Sequence, residues 1–242
     1  MFKFLNKKIK KNTTRGFTLL EMTVVAGIFG ILTAIVVFKY GDFTSNLLVS
    51  NMAYEIALTT RQAQVFGVGV RGFETGNDDD RFQSPYGVYF NLNDGSSAEI
   101  RQSKNFTLFV DKDNDLFCDD GTNNGFTPCT CTLGDECLEQ FSMQRNIRLT
   151  KIDVGEGTQC SSTVNGVEGP VSIAVSFKRP SPEARIHDQG NHDASRQYSF
   201  AQLKVEAPGS SIAPSYVLIR NNGQISVSST NACDKKGYFY NV

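Results

Sequence analysis

Histidine is scarce in this sequence, which limits the enzyme classes to which the protein could belong. Only His187 and His192 are present, and each is followed by an aspartate in a polar segment after two prolines. Two histidines flanked by aspartate could bind a metal or act as a base. The nearby residues contain neither a nucleophile elbow nor a phosphate-binding loop. We therefore expect a solvated loop and no enzymatic activity; a tethered, exported hydrolase that uses these histidines is the alternative.

Basic residues are also scarce once the first sixteen residues are set aside. Six of the 24 Lys and Arg lie in that leader, which has no acid, so 18 basic residues remain against 25 acidic ones, a net charge of −7. The remaining chain has no basic stripe with interleaved aromatic residues. It therefore predicts no specific nucleic-acid partner. No repeat occurs at a fixed period, which argues against a repeat architecture.

Charge is almost absent from residues 17–38, where Glu21 is the only charged side chain. About 20 apolar residues form a helix long enough to cross a bilayer core. The basic leader predicts that the N-terminus stays in the cytoplasm and that the rest of the chain is exported. An ordinary secretory signal fits poorly, because its apolar core is about 7–15 residues long and ends at a small-residue cleavage site.

The start of this apolar run is Gly16-Phe17-Thr18-Leu19-Leu20-Glu21-Met22. Behind a basic leader, this segment closely resembles the type IV pilin and pseudopilin family. The resemblance implies that a membrane aspartyl prepilin peptidase cleaves between Gly16 and Phe17 and that Phe17 is then N-methylated. Glu21 would be the intramembrane carboxylate of the family. The alternatives are a plain uncleaved anchor, and a Glu21 that simply reaches headgroup water at the membrane edge.

A buried carboxylate is costly, since translocon scales assign about 2.5–3.5 kcal/mol to Asp at the centre of a membrane helix and less near the interface. Cleavage would create an ammonium group on Phe17, four residues from Glu21. In a fibre, the Glu21 carboxylate of one subunit can meet the Phe17 ammonium of its neighbour, and a paired charge costs far less than a lone one. We therefore expect this pair to set the axial register of assembly.

The predicted fold class is α+β and pilin-like, with a long N-terminal helix packed on an antiparallel β-sheet. We divide the chain into a leader (1–16), a membrane and assembly helix (17–39), its amphipathic continuation (40–67) and an exported β-rich domain (68–242). Helical spacing of apolar residues indicates a packed stripe, and β-branched content indicates the strands. The stripe comprises Leu48, Met52, Ile56, Thr60, Ala63 and Gly67; the strands are 86–92, 106–110, 147–154, 171–177, 199–205, 216–219 and 225–227, the last two joined by an Asn-Gly turn.

Alternating aspartates in the segment 111–115 suggest a calcium loop, because Ca²⁺ takes six to eight oxygen ligands. The candidate ligands are Asp111, Asp113, Asp115 and Asp119, with Asp120 as a further donor. The segment departs from the EF-hand template, which requires glycine where Leu116 stands and glutamate where Thr122 stands. A solvated acidic turn is the alternative. Calcium is the only cofactor that the sequence suggests.

All six cysteines follow the membrane helix, so an exported domain would carry them as disulfides. We expect bridges to hold the loop between residues 117 and 140, within a Cys-rich loop spanning 111–140, and we pair Cys160 with Cys233. Zinc bound by four loop cysteines is the alternative, although the paired Cys-x-x-Cys spacing is missing. The six residues are Cys118, Cys129, Cys131, Cys137, Cys160 and Cys233.

Together these features predict a structural subunit of a type IV pilus or type II secretion pseudopilus. Many fibre-forming pilins carry a proline where Phe38 stands, so we expect a minor subunit. The predicted partners are the prepilin peptidase/methyltransferase, other pilin subunits through the N-terminal helix, and the inner membrane. We expect a single-pass inner-membrane precursor with an exported C-terminal domain that later joins the fibre. A membrane-anchored binding module or adhesin that does not assemble is the alternative function.

Overall fold

The structure is a computed structural model. It describes residues 16–69, 72, 84–92, 102–119, 131, 136–157, 159–162, 170–189, 197–209, 212–233 and 239. The chain divides into two compact units, Met1–Phe43 and Thr44–Val242. The leader residues before Gly16, and also Cys129, Asp120, Thr122 and His192, lie outside the described residues.

A single helix, α1, spans Leu19–Val68 and confirms the predicted long N-terminal helix. Its first unit contains Leu19–Phe38, a run of 20 residues with mean hydropathy 2.2 that is long and apolar enough to cross a membrane. No proline interrupts the helix. At its other end, the amide of Gly69 donates to the carbonyl of Val65 (2.9 Å) and closes the last turn. Glycine permits this close of a helix at low steric cost.

The part of α1 in the second unit is amphipathic, as the sequence predicts. Within the predicted stripe, Leu48 is half-buried and the other five positions are buried. Gly67 lies so close to Phe177 that an added Cβ would collide with the carbonyl of that residue. The apolar face therefore packs on the strands, which supplies the hydrophobic free energy that holds this helix in place.

In the described part of the chain, ten strands form two antiparallel sheets of five, in the orders β3-β2-β1-β6-β7 and β10-β9-β8-β4-β5. The strands are β1 Tyr86–Asn91, β2 Asn105–Val110, β3 Cys137–Ser142, β4 Arg148–Glu156, β5 Gln159–Ser162, β6 Ser172–Phe177, β7 Ala184–Asp188, β8 Phe200–Glu206, β9 Ser215–Arg220 and β10 Ile225–Ser228.

The predicted α+β class with a helix packed on antiparallel strands is confirmed. All seven predicted strands are present, but sequence reasoning missed β3, β5 and β7, and it predicted one sheet where the strands form two. The three missed strands lie at sheet edges. An edge strand pairs on one side only, so its residues need not follow the alternating pattern on which the prediction depended.

One core is shared by the helix and the inner faces of both sheets. Ile56 of α1, Phe90 of the first sheet and Leu203 of the second all belong to it and are fully buried. A polar contact fixes the end of the helix beside this core. The side-chain amide of Gln64 donates to the carbonyls of Pro182 (2.7 Å) and Gly223 (3.1 Å), in the turns before β7 and β10.

The outer face of each sheet is covered by a small apolar cluster held by cysteines. On the first sheet, Phe109 and Ala174 pack with Cys118 and Cys137 of the acidic, Cys-rich loop. On the second sheet, Phe200 and Leu218 pack with Cys160, Cys233 and Phe239. The acidic loop is therefore fixed against a rigid sheet.

Replacing Ile56 with Ala should lower the free energy of unfolding by about 2–5 kcal/mol, because it leaves a cavity in the shared core. Leu58→Ala is the matched control, since Leu58 is 69% exposed and surface changes usually alter stability by about 0.5 kcal/mol or less. Denaturant unfolding of the detergent-solubilised protein measures both. Equal losses for the two variants would contradict the packing described here.

Candidate functional site

The N-terminal site consists of the residues around the start of α1. Phe17 precedes the helix and is 75% exposed, and Glu21 is an exposed acid in its first turn. The amide of Glu21 donates to Thr18 Oγ1 (3.2 Å), so Thr18 caps the helix. The sequence reasoning missed this role, although Thr-x-x-Glu before an apolar run is a capping-box signal. Thr18 and Glu21 both follow the Gly16-Phe17 bond, so the hydrogen bond that caps the first turn does not involve the leader.

The apolar run that follows presents only weakly polar side chains besides Glu21. Every residue from 16 to 38 is exposed. The hydroxyls of Thr23 and Thr33 donate to the carbonyls of Leu20 and Phe29 (2.8 Å each), so their protons are satisfied within the helix. Lipid can accept such a surface. Glu21 is thus the one side chain in this run that requires a polar or charged partner.

Residues 11–37 match the prokaryotic N-terminal methylation motif. The chain carries the hallmark of type IV pilins and pseudopilins. No curated protein and no solved structure gives a match. The motif identifies a pilin-like precursor with a membrane-anchoring helix. It also implies processing by a prepilin peptidase and association with other pilin subunits. The β-rich domain lies beyond the matched residues. The motif therefore says nothing about the role of this domain, which has to be inferred from the domain's own residues.

The β-rich domain has a second candidate site, the acidic loop that follows β2. One carboxylate oxygen from each of Asp111, Asp113 and Asp115 lies within 4.8 Å of the others. Asp111 accepts hydrogen bonds from the amides of Asp115 (3.1 Å) and Leu116 (3.0 Å). Ca²⁺–oxygen distances of 2.3–2.6 Å are compatible with this oxygen spacing. The structure brings together three of the four predicted ligands here.

The backbone of this loop turns sharply at Leu116, where φ is +78°. This is the position at which the EF-hand template has glycine for its sharp turn. The loop therefore adopts a positive φ despite the leucine side chain, which is unfavourable by about 1–2 kcal/mol for an L-residue. Sequence reasoning rejected the template because of this leucine, but the chain makes the turn anyway.

Glu136 completes the acidic group from a distant part of the sequence, directly before β3. It is fully buried, as is Asp111, and Asp119 is 3% exposed. Its carboxylate accepts from the amides of Lys112 (2.5 Å) and Asp119 (3.4 Å), so it lies across the loop from Asp111. The sequence analysis missed Glu136, because no local spacing relates it to the aspartates. Of the three aspartates in the turn itself, Asp111 is buried, Asp115 is half-buried and Asp113 is exposed, so the turn is partly solvated.

Burial makes these carboxyl groups difficult to ionise. The pKa of Glu136 is raised to about 9, chiefly by loss of hydration; the hydrogen bond from the amide of Lys112 lowers it, and the charges of Asp111, Asp113 and Asp119 raise it. Loss of hydration likewise raises the pKa of Asp111 to about 7, with Asp115 and Asp113 contributing. The group therefore binds protons at neutral pH unless a cation replaces them.

The cysteines hold the strands and loops that carry this acidic group. Cys137 follows Glu136 and is bonded to Cys131, and Cys118 precedes Asp119 and is also disulfide-bonded. Cys160 of β5 is bonded to Cys233, the pairing expected from the sequence. Free cysteine is absent from the described part of the chain. With these pairings, the described loop cysteines do not offer the thiolates that the zinc alternative requires.

The histidine prediction needs a correction. His187 does not lie in a solvated loop: it belongs to β7, is 2% exposed, and its ring meets the edge of Phe117 at 6.3 Å between centroids. Two residues later, the side chain of Gln189 accepts from the amide of Cys118 (3.0 Å) and donates to its carbonyl (2.8 Å). This end of β7 therefore supports the acidic loop. The sequence analysis did not predict this role because the segment is polar.

In calcium-free protein, stability should fall as pH rises from about 4 to 7. Unfolded carboxyl groups lose their protons near pH 4, whereas Asp111 and Glu136 keep theirs in the fold up to pKa values of about 7 and 9. The folded state then binds more protons, and each extra proton lowers the free energy of unfolding by about 1.4 kcal/mol per pH unit. Thermal unfolding in chelator from pH 4 to 9 measures this.

The double variant Asp111→Asn with Glu136→Gln supplies the comparison, because neither new side chain titrates. Its melting temperature should decrease less over the same pH range than that of the parent protein. Identical pH dependence in the two proteins would show that these carboxyl groups are not protonated in the fold.

Proposed function

We propose that this protein is a minor structural subunit of a type IV pilus or type II secretion pseudopilus. It is made as a precursor, cleaved after Gly16, N-methylated on Phe17, and assembled through its N-terminal helix. The observation that carries the proposal is the methylation motif on the exposed apolar run 17–38, in which Glu21 is the only acid. A membrane protein that only needed an anchor would have no use for that acid.

The chemistry of assembly follows from where the charges lie. Cleavage leaves an ammonium group at Phe17, and the exposed Glu21 in the first turn of α1 can reach the ammonium of an adjacent subunit. Each charge alone would carry a large desolvation cost in an apolar medium, and pairing the two charges would offset that cost. Its contribution is specificity: a subunit that sits one turn out of register leaves both charges unpaired.

The topology follows from charge and from the cysteines. Six basic residues precede the span, so the leader faces the cytoplasm, and the domain after α1 lies outside the inner membrane. The two described disulfides suit that oxidising side of the membrane. After cleavage the subunit leaves the bilayer and enters the fibre.

The minor role is supported by features that would be unusual in a repeating fibre subunit. Helix α1 lacks the proline that many fibre-forming pilins carry near Phe38. The domain also has two five-stranded sheets and a Cys-rich acidic loop. These are features of a specialised subunit present in few copies.

Glu21→Ala should leave cleavage intact but reduce the amount of protein in isolated fibres by about tenfold, because the neighbouring ammonium loses its partner. Glu55→Ala is the control, since Glu55 is an exposed acid on the same helix beyond the apolar run. Quantitative immunoblotting of sheared fibres and of membranes gives the assembled fraction. Full incorporation of the Glu21 variant would refute the charge pairing, and a protein that never leaves the membrane would favour the tethered binding module.

We also propose that the acidic loop binds Ca²⁺ through Asp111, Asp113 and Asp115 with Glu136, and with Asp119 beside them. The supporting observation is the buried Glu136, which supplies the distant carboxylate that the local sequence lacks. Bound calcium would replace the protons on these acids and tie the loop to β3, leaving the Cys-rich surface ordered once the protein has been exported.

Glu136→Gln should weaken calcium binding by an order of magnitude or more, because it removes one charged ligand from the site. The matched control is Glu139→Gln, which neutralises an exposed acid on β3, the strand that directly follows Glu136. Calorimetric titration into chelator-stripped protein, up to the millimolar concentrations at which extracellular sites bind, measures both. Equal affinity in the two variants, or no binding by the parent protein, would refute the site.

A further inference from the structure

A polar cavity of about 520 Å³ opens beside the start of β7, where the two sheets come together. Its size falls within the range of about 300–1,000 Å³ that small-molecule sites occupy. Its lining residues belong neither to the acidic loop nor to α1. The described residues that line it come from three segments, before β7, before β8 and after β9: Glu183, Gln197, Tyr198, Ser199, Asn221 and Asn222.

Backbone hydrogen bonds join these three segments and fix the walls of the cavity. The amide of Ala184 donates to the carbonyl of Asn221 (2.8 Å), and the amide of Asn221 donates to the carbonyl of Ser199 (2.8 Å). The amide of Tyr198 donates to the carbonyl of Ile186, within β7 (3.0 Å). The edge strand of one sheet is thereby tied to the ends of two strands of the other. The cavity is therefore formed before a ligand arrives, which lowers the entropic cost of binding.

The side chains that line the cavity are oriented by their own hydrogen bonds and keep polar groups for a ligand. Asn222 Oδ1 accepts from the amide of Gln224 (3.0 Å), so the side-chain NH₂ group of Asn222 can donate to a ligand. Ser199 Oγ accepts from the amide of Gly157 (3.2 Å), so the Ser199 hydroxyl proton can also be donated. Glu183 is exposed and supplies carboxylate oxygens as acceptors. Donors and acceptors therefore line the same cavity.

The chemistry of the lining residues narrows the class of ligand. The described ones include no Lys or Arg, so a phosphate or carboxylate ligand would find no counter-charge and would be repelled by Glu183. They include no Val, Leu, Ile, Met or Phe, so an alkyl ligand would gain little hydrophobic free energy. A sugar hydroxyl both donates and accepts, which suits amide, hydroxyl and carboxylate side chains together.

We infer that this cavity binds a short neutral oligosaccharide. All of its described lining residues lie in the second compact unit, and none belongs to the methylation motif. The inference therefore goes beyond the proposed function and does not depend on it. In a fibre subunit, such a site would attach the fibre to sugars outside the cell.

A glycan array tests the inference with the full chain, purified in detergent and fluorescently labelled. The array carries neutral oligosaccharides of glucose, galactose, mannose and N-acetylglucosamine, beside sialylated and sulfated glycans and basic peptides. We expect at least one neutral oligosaccharide to give a stronger signal than every acidic glycan and every peptide. Absence of binding to the neutral set, or a preference for acidic glycans or peptides, would overturn the inference.

Matched variants locate the bound oligosaccharide. In calorimetric titration with the neutral oligosaccharide that gives the strongest array signal, Gln197→Ala and Glu183→Ala should each weaken binding about tenfold, because each variant loses hydrogen bonds to the sugar. Gln140→Ala and Glu139→Ala remove the same groups from β3 and should bind as the parent protein does. All four positions are exposed, so the unfolding midpoints should stay unchanged.

Equal affinity in the cavity variants and the control variants would overturn the site and leave the proposed function standing. An unprocessed N-terminus in the parent protein would overturn the proposed function and leave the sugar site standing.

Discussion

The account depends on one electrostatic constraint: a carboxylate placed where water cannot hydrate it needs a counter-charge. Glu21 is the only acid in the apolar run 17–38, whose side chains are all exposed in the single subunit. Neither the helix nor the described residues around it supply a cation for this acid. The protein is therefore incomplete as a single subunit, and the methylation motif indicates what completes it.

The acidic loop shows a related constraint in the β-rich domain. Asp111 and Glu136 are fully buried beside other acids, and their raised pKa values reflect the loss of hydration. The side chain of Gln189 holds the backbone of Cys118, and a disulfide holds Cys137, so the residues next to Asp119 and Glu136 are fixed in place. Both regions therefore contain acids that a positive charge would stabilise: an ammonium group in the proposed assembly and a calcium ion in the proposed site.

The fold was predictable where the physical signal is local. Apolar runs and helical spacing predict α1 well because residues three and four apart share a face, and alternation predicts the strands of the sheet interiors for a similar reason. The edge strand β7 was missed because its sequence, Ala-Arg-Ile-His-Asp, looks polar, although Ala184 and Ile186 pack in the core and His187 packs on Phe117. Glu136 was missed because 24 residues separate it from Lys112, whose backbone amide donates a hydrogen bond to its carboxylate. Contacts between residues so far apart in the sequence depend on how the sheet folds, and local sequence spacing does not reveal them.

The central claim is that proteolysis creates the amine that Glu21 requires. Mass spectrometry of the N-terminal peptide from protein purified out of its own cell envelope tests it most directly. The account predicts a mature chain that begins at Phe17 and carries one methyl group on its α-amine. A protein that still begins at Met1, with its lysine-rich leader attached, would contradict the account.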